Sequence, residues 1–161
     1  MGLDARVYCD CYEKGRLREP PPPDVLVRLA PDGGIESLRN DCPIEAMIQF
    51  DDWRQHRACE HQGGVMLHHR LGNIGTVALL RTELQQEASL FPILMNKVLY
   101  NGIHAGDYLP VDLIPPLERE VESLARRRCN NRSSENFMKQ FQTQMAELIA
   151  AAHAMSKPIV F

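Results

Sequence analysis

The alternation of apolar and polar side chains predicts that the chain opens with a β-strand. Between Leu3 and Cys9 the two kinds of side chain alternate, which is the pattern of a strand with one buried face. A hairpin is predicted further along, where the apolar segments 25–29 and 35–38 flank the turn sequence Pro-Asp-Gly-Gly at 31–34. Both patterns indicate strands of a small antiparallel sheet.

Most of the remaining chain has apolar residues spaced by three and four positions, which predicts helices. Five helices are expected, with these approximate bounds: Pro43 to Arg57, Asn73 to Glu87, Phe91 to a left-handed cap at Asn101-Gly102, Pro115 to Arg128, and a last helix that begins at Ser133 or Ser134. The apolar stripe of the first helix contains Ile44, Met47, Ile48 and Trp53. The stripe of the last helix contains Phe137, Phe141, Met145, Leu148, Ala152 and Met155, and predicts either core packing or the face of a homodimer. The apolar tail 159–161 could pair as a further strand.

These patterns predict an α+β fold, helix-rich, with about five helices packed on a small antiparallel sheet. We expect a single domain over residues 1–161, because no internal repeat or linker interrupts the chain. The formal net charge of −3 supplies no broad positive surface, so nucleic acid is not an expected partner. No apolar run approaches the roughly 20 residues of a membrane span. The first residues also lack a signal-peptide core, so we expect a cytoplasmic protein without a membrane partner.

Four of the possible metal ligands form two close pairs. Cys9 and Cys11 stand at the end of the first predicted strand, and Cys59 and His61 follow the first predicted helix. Three thiols and one imidazole are the ligand types of a tetrahedral zinc site, so zinc is the candidate cofactor. However, the pairs have a one-residue spacing, and on a regular strand Cys9 and Cys11 would share a face with little room to converge. Buried thiols that pack as small hydrophobic residues, and redox-active cysteines, are the alternatives.

A second group of candidate residues lies in two polar segments, 68–73 and 100–107, which we expect to be loops beside the central helices. If the two loops meet, His69 or His104 could act as a general base near neutral pH, because the ordinary pKa of histidine lies close to it. Asp107 could orient that histidine. This arrangement would be a catalytic site.

Arg70 extends the same hypothesis, because its guanidinium could hold an anionic group of a substrate. Alternatively His68, His69, His104 and Asp107 could together hold a catalytic metal ion with an open coordination position. The third interpretation is structural: the histidines fill ordinary polar positions, and Arg70 pairs with an acid. The sequence leaves the three interpretations open.

Three segments resemble a family of uncharacterised bacterial proteins of similar length. They are VYCDCYEKG at 7–15, HRLGN at 69–73 and YNGIHAGD at 100–107. The resemblance covers the whole chain and implies a bacterial, cytoplasmic protein, but it implies no activity.

Two classes of function are compatible with these observations. A small enzyme, most simply a hydrolase with a metal-bearing or histidine-lined pocket, predicts a concave site where the two polar loops meet. A non-catalytic interaction protein, such as an immunity or regulatory protein, predicts an exposed binding patch instead. The partner would be an unknown small molecule or protein. The chain contains no phosphate-binding loop, dinucleotide fingerprint or nucleophile elbow that would name a reaction.

Overall fold

The structure is a computed structural model that describes residues 2–38, 43–100, 106–127 and 132–161. This part of the chain contains four α-helices: α1 (Ile44–Asp52), α2 (Ile74–Gln85), α3 (Ile114–Leu124) and α4 (Arg132–Met155). It contains six strands: β1 (Gly2–Tyr8), β2 (Val27–Leu29), β3 (Ile35–Ser37), β4 (Val65–Asn73), β5 (Tyr108–Leu109) and β6 (Ile159–Val160). Two π-helical turns, Trp53–Arg57 and Leu94–Val98, add to the helical content. The predicted α+β class is confirmed.

Strand β1 lies inside a four-stranded antiparallel sheet with the order β4-β1-β6-β5. Its residues Leu3, Ala5 and Val7 are buried in the main core, and the polar residues between them are exposed, as the predicted alternation requires. The apolar tail forms β6, which pairs with β1 through Val160 and Arg6. The predictions of the first strand and of a strand at the tail are therefore confirmed.

The predicted loop over 68–73 is wrong, because this segment belongs to strand β4. It pairs with β1 along its length. Leu67, His69 and Leu71 occupy the more buried positions, and the residues between them are more exposed. The sequence shows no clear alternation of apolar and polar residues here, because His69 occupies an inward position that is usually apolar.

Helices α2, α3 and α4 form the main core together with one face of the sheet. The long helix α4 packs against β1, β4, α2 and α3. Its buried stripe contains Phe141, Met145 and Leu148, as predicted, but Met138 is buried in place of the exposed Phe137. The stripe is therefore buried within the chain itself. Among the described helices, none has both the length and the apolar character that a membrane span requires.

The third predicted helix is short and covers residues 92–98, with the π-helical turn Leu94–Val98 as its main part. Its N-terminus is capped by Glu120 of α3, whose carboxylate accepts hydrogen bonds from the backbone N–H groups of Ile93 and Leu94 at 2.9 Å each. Glu120 is buried, and this burial raises the pKa of its carboxyl. The cap explains why an acid is tolerated in the core.

A smaller core, which we call the second core, joins the β2–β3 hairpin to α1. Its buried residues are Val25, Ala46, Phe50, Trp53 and Ala58. The stripe predicted for α1 is wrong in part, because Ile44 and Ile48 are exposed while Ala46 and Phe50 face the hairpin. Positions two apart on a helix point roughly 200° away from each other, so the two pairs lie on opposite faces.

Candidate metal centre

The first pair of possible ligands lies where the chain leaves β1. The strand ends at Tyr8, and the backbone N–H of Cys9 donates to the carbonyl oxygen of Gly64 at 2.8 Å. The chain then turns, and the backbone N–H of Arg16 donates to the carbonyl oxygen of Cys11 at 2.7 Å. Because Cys9 and Cys11 follow the strand and do not lie within it, the alternation of a regular strand does not constrain their side chains. The geometric objection to their convergence is thereby removed.

Asp10, between the two cysteines, helps to hold this turn. It is buried, and its carboxylate pairs with Lys14 and Arg16. The hydrogen bond from Lys14 is the main cause that lowers the pKa of Asp10. Asp10 was not among the residues predicted from the sequence. The sequence did contain a signal for this ion-paired acid, because Lys14 follows Asp10 by four positions and Arg16 follows it by six.

The second pair, Cys59 and His61, follows the π-helical turn Trp53–Arg57. The chain bends at this pair and continues through a short turn in which Gly63 and Gly64 have φ values of +62° and +70°. Glycine adopts this left-handed conformation without the strain that a Cβ atom would cause. The turn leads directly into β4 and leaves the second pair beside the first.

The two pairs meet in one cluster of Cys9, Cys11, Cys59 and His61, which we call the Cys/His cluster. Their possible ligand atoms all lie within 4.8 Å of one another. The Sγ atoms of Cys9 and Cys59 are 3.7 Å apart, and Nδ1 of His61 is 3.5 Å from Sγ of Cys11 and 4.0 Å from Sγ of Cys59. The three cysteines are buried and the imidazole is partly exposed. A cluster of this composition and size could hold a metal ion.

The surroundings of the cluster determine the charge of its thiols. Burial raises the pKa of Cys9 to about 12, and it also raises the pKa of Cys11. Desolvation is the largest cause in both cases, because a thiolate loses its hydration when it is buried. Thiolates at these positions therefore need a cation beside them, and metal binding would release protons from the cluster.

The described catalytic candidates lie on different faces and different strands of the sheet. His69 and Arg70 are neighbours on β4 and therefore point to opposite faces of the sheet. His69 faces α4, where its Nε2 lies 2.6 Å from Oε2 of Glu147, and Arg70 is exposed. Asp107 precedes β5, which β1 and β6 separate from β4. His104 lies outside the described residues, so the catalytic roles of these residues stay predictions.

The residues of the alternative metal site are brought together only in part, since His68 and Gly106, the residue before Asp107, line one cavity. His68 points away from His69, and its Nε2 lies 3.8 Å from Oδ1 of Asp4. Within the ranges that the structure describes, the Cys/His cluster is the one group of three or more possible ligands at metal-binding distances.

Comparisons with protein-family models, with curated proteins and with solved structures found no match to this chain. Its function therefore has to be inferred from the fold and the site. An α+β fold with a cluster of three buried cysteines and one partly exposed histidine defines a candidate metal-binding protein.

Proposed function

We propose that this chain is a zinc-binding protein, in which the Cys/His cluster holds one structural Zn²⁺, and that it acts by binding a partner rather than by catalysis. One observation carries the proposal: the possible ligand atoms of Cys9, Cys11, Cys59 and His61 lie within 4.8 Å of one another. Two of these residues come from the end of β1, and the other two lie 50 residues later in the chain. Such convergence of soft ligands is the usual construction of a zinc site.

The separations favour zinc as the metal. In a tetrahedral site with a Zn–S bond of about 2.3 Å and a Zn–N bond of about 2.0 Å, two sulfur atoms lie roughly 3.8 Å apart and a sulfur and a nitrogen roughly 3.5 Å apart. Two distances match these values, 3.7 Å for Cys9 to Cys59 and 3.5 Å for Cys11 to His61, and the distance from Cys59 to His61 is longer at 4.0 Å. Three thiolates also disfavour magnesium and calcium, which prefer oxygen ligands.

The number of protein ligands supports a structural role for the ion. A catalytic zinc keeps one position for water or substrate, whereas four protein ligands fill a tetrahedral site. The three cysteines are also buried. These features support the interaction-protein class over the hydrolase class.

The position of the cluster indicates what the ion would stabilise. Cys9 and Cys11 extend from the main sheet, whereas Cys59 follows Ala58, a member of the second core. One ion bound by both pairs would therefore join the sheet to the second core. This proposal includes a cytoplasmic location, because reducing compartments keep cysteines from forming disulfides.

The first experiment measures the metal content and its coordination. Purified protein is expected to contain one zinc per chain by elemental analysis. Replacement by Co²⁺ should give the intense visible absorption of tetrahedral cobalt with thiolate ligands. Added azide or imidazole should leave this spectrum unchanged, because no coordination position is open. A spectral shift would contradict the structural role and would favour an enzyme.

Two matched substitutions complete the experiment. His61→Ala removes a ligand and should weaken zinc binding strongly. His56→Ala removes an exposed imidazole, paired with Asp52 on the neighbouring turn, and should keep one zinc per chain. Protein that contains no metal and binds no added Zn²⁺ would overturn the proposal.

A further inference from the structure

The sheet contributes its face opposite the helices to a groove, which we call the arginine groove. Arg6, Tyr8 and His68 line it from β1 and β4, and Arg54 lines it from the π-helical turn after α1. The turn at Gln62, next to the Cys/His cluster, also contributes to the lining. The volume of the groove is about 570 Å³. Small-molecule sites typically occupy roughly 300–1,000 Å³.

The lining of the arginine groove is rich in nitrogen donors. Two guanidinium groups, one imidazole and two side-chain amides line it, from Arg6, Arg54, His68, Gln55 and Gln62. None of the described residues that line it carries a carboxylate side chain. A chain with a net charge of −3 therefore concentrates positive charge and N–H donors at this groove.

Among the three basic side chains that line the groove, Arg6 differs from Arg54 and His68 because neither Asp51 nor Asp4 forms an ion pair with it. Its guanidinium carbon lies 5.5 Å from the centroid of the Tyr8 ring, and within the described ranges it forms no ion pair. Stacking on an aromatic ring orients the planar guanidinium and leaves its N–H groups available at the edge. Arg6 is therefore oriented for a ligand but not neutralised.

Arg54 and His68 each have one acid nearby, and neither acid lines the groove. The guanidinium carbon of Arg54 lies 5.6 Å from the centroid of the Phe50 ring, and its Nη2 lies 3.2 Å from Oδ1 of the exposed Asp51. Its Nε has no hydrogen-bond partner in the described part of the chain. Nε2 of His68 lies 3.8 Å from Asp4. Exposed pairs of this kind are weak, so a doubly charged anion could compete with them.

We propose that the arginine groove binds a small phosphorylated molecule, with Arg6 and Arg54 holding its phosphoryl group. The donors come from β1, β4 and the turn after α1, so they approach from several directions. A tetrahedral phosphoryl group offers acceptors in several directions, whereas a carboxylate offers two in one plane. The inference does not depend on the identity of the metal in the Cys/His cluster.

The test is isothermal titration calorimetry of the full chain as purified, with inorganic pyrophosphate and adenosine diphosphate as probes. Both probes should bind at one site. Arg6→Ala and Arg54→Ala should each weaken binding by at least roughly tenfold, because each removes charge-assisted hydrogen bonds. Arg6→Lys, which keeps the charge but loses the planar guanidinium, should also weaken binding. If Arg6→Ala does not fold, Arg6→Lys replaces it in the test.

Arg119→Ala is the matched control. It removes the same charge from an exposed position on α3, outside the groove, and should bind both probes like the wild type. Equal affinities for the two probes would assign recognition to phosphate alone, and tighter binding of the nucleotide would add a contact to its base or sugar. The proposal is overturned if neither probe saturates below about 10 mM, or if the control variant loses as much affinity as Arg6→Ala. Zinc content, measured on every variant, tests the proposed function separately.

Discussion

The Sγ atoms of Cys9 and Cys59 lie 3.7 Å apart although 50 residues separate them in the chain. Cys9 follows β1 of the main sheet, and Cys59 follows Ala58 of the second core. The contact between the two thiols therefore connects the two cores. The second core has few buried residues, so we infer that it depends on this connection.

If the Cys/His cluster holds the proposed zinc, its removal should loosen the second core before the main one. Trp53 is the only tryptophan of the chain and is buried in the second core, so its fluorescence reports on this region. A chelator should shift its emission to longer wavelength and lower the midpoint of thermal unfolding, because structural zinc contributes folding free energy directly. Far-UV circular dichroism should change little, because α4 belongs to the main core. An unchanged emission after complete metal removal would contradict this prediction.

Oxidation should link Cys9 to Cys59 and, if the cluster holds the proposed zinc, release it. With hydrogen peroxide as oxidant, the two thiolates form one S–S bond while the peroxide O–O bond breaks and, with two protons, yields two water molecules. This pair is expected because its sulfur atoms are in contact, whereas Cys11 lies against the His61 ring. Peptide mapping by mass spectrometry should find the 9–59 disulfide, and a colorimetric zinc indicator should respond in parallel. A predominant bond between Cys9 and Cys11 would contradict the assigned contacts.

The ligand types of the Cys/His cluster were predictable from the sequence, but their convergence was not. Cys, Cys, Cys and His are chemically suited to zinc wherever they stand, and their pairing along the chain is local information. Convergence depends on the end of β1 at Tyr8 and on the turn at Gly63 and Gly64, where the chain changes direction. These are tertiary features, because β1 ends beside a strand more than fifty residues away.

The same distinction between local patterns and tertiary contacts explains which parts of the fold could be predicted. The alternation in β1 and the stripe of α4 are strong local patterns, and both predictions held apart from the exchange of Phe137 for Met138. β4 was missed because its pairing with β1 is non-local and His69 breaks its apolar pattern. The face of α1 was misjudged because Ile44 is more apolar than Ala46, yet only Ala46 meets the hairpin.

The buried Lys157 should be important for stability. Its Nζ donates to the carbonyl oxygen of Gly33 at 2.9 Å and pairs with Glu13, so it joins the chain before β6 to the hairpin turn. Lys157→Met should lower the free energy of unfolding by about 2 kcal/mol, because it leaves a buried carbonyl without its donor. Lys139→Met, at an exposed ion pair with Glu135, should cost less than about 0.5 kcal/mol. Chemical denaturation of both variants makes the comparison, and equal losses would contradict the role of Lys157.

Glu120 should make the folded protein less stable as the pH rises. An ordinary ion-paired acid, whose pKa is lowered, has the opposite effect. Burial raises its pKa in the folded protein above the value of 4.5 that it has when exposed. Between pH 4.5 and the raised pKa, the folded state binds more protons than the unfolded state. The stability that Glu120 contributes through its raised pKa is therefore complete below pH 4.5 and is lost as the pH rises through that pKa.

The pH dependence of Glu120 can be isolated by comparing two substitutions on α3. Glu120→Gln cannot ionise, so the difference in unfolding free energy between wild type and this variant should change as the pH is raised from about 4.5 towards neutrality. At every pH the variant also loses one of the two acceptors for the N–H groups of Ile93 and Leu94, which adds a constant cost. Glu122→Gln, at an exposed position of the same helix, should show no such change. Urea unfolding at a series of pH values distinguishes them, and parallel profiles for the two variants would contradict the raised pKa of Glu120.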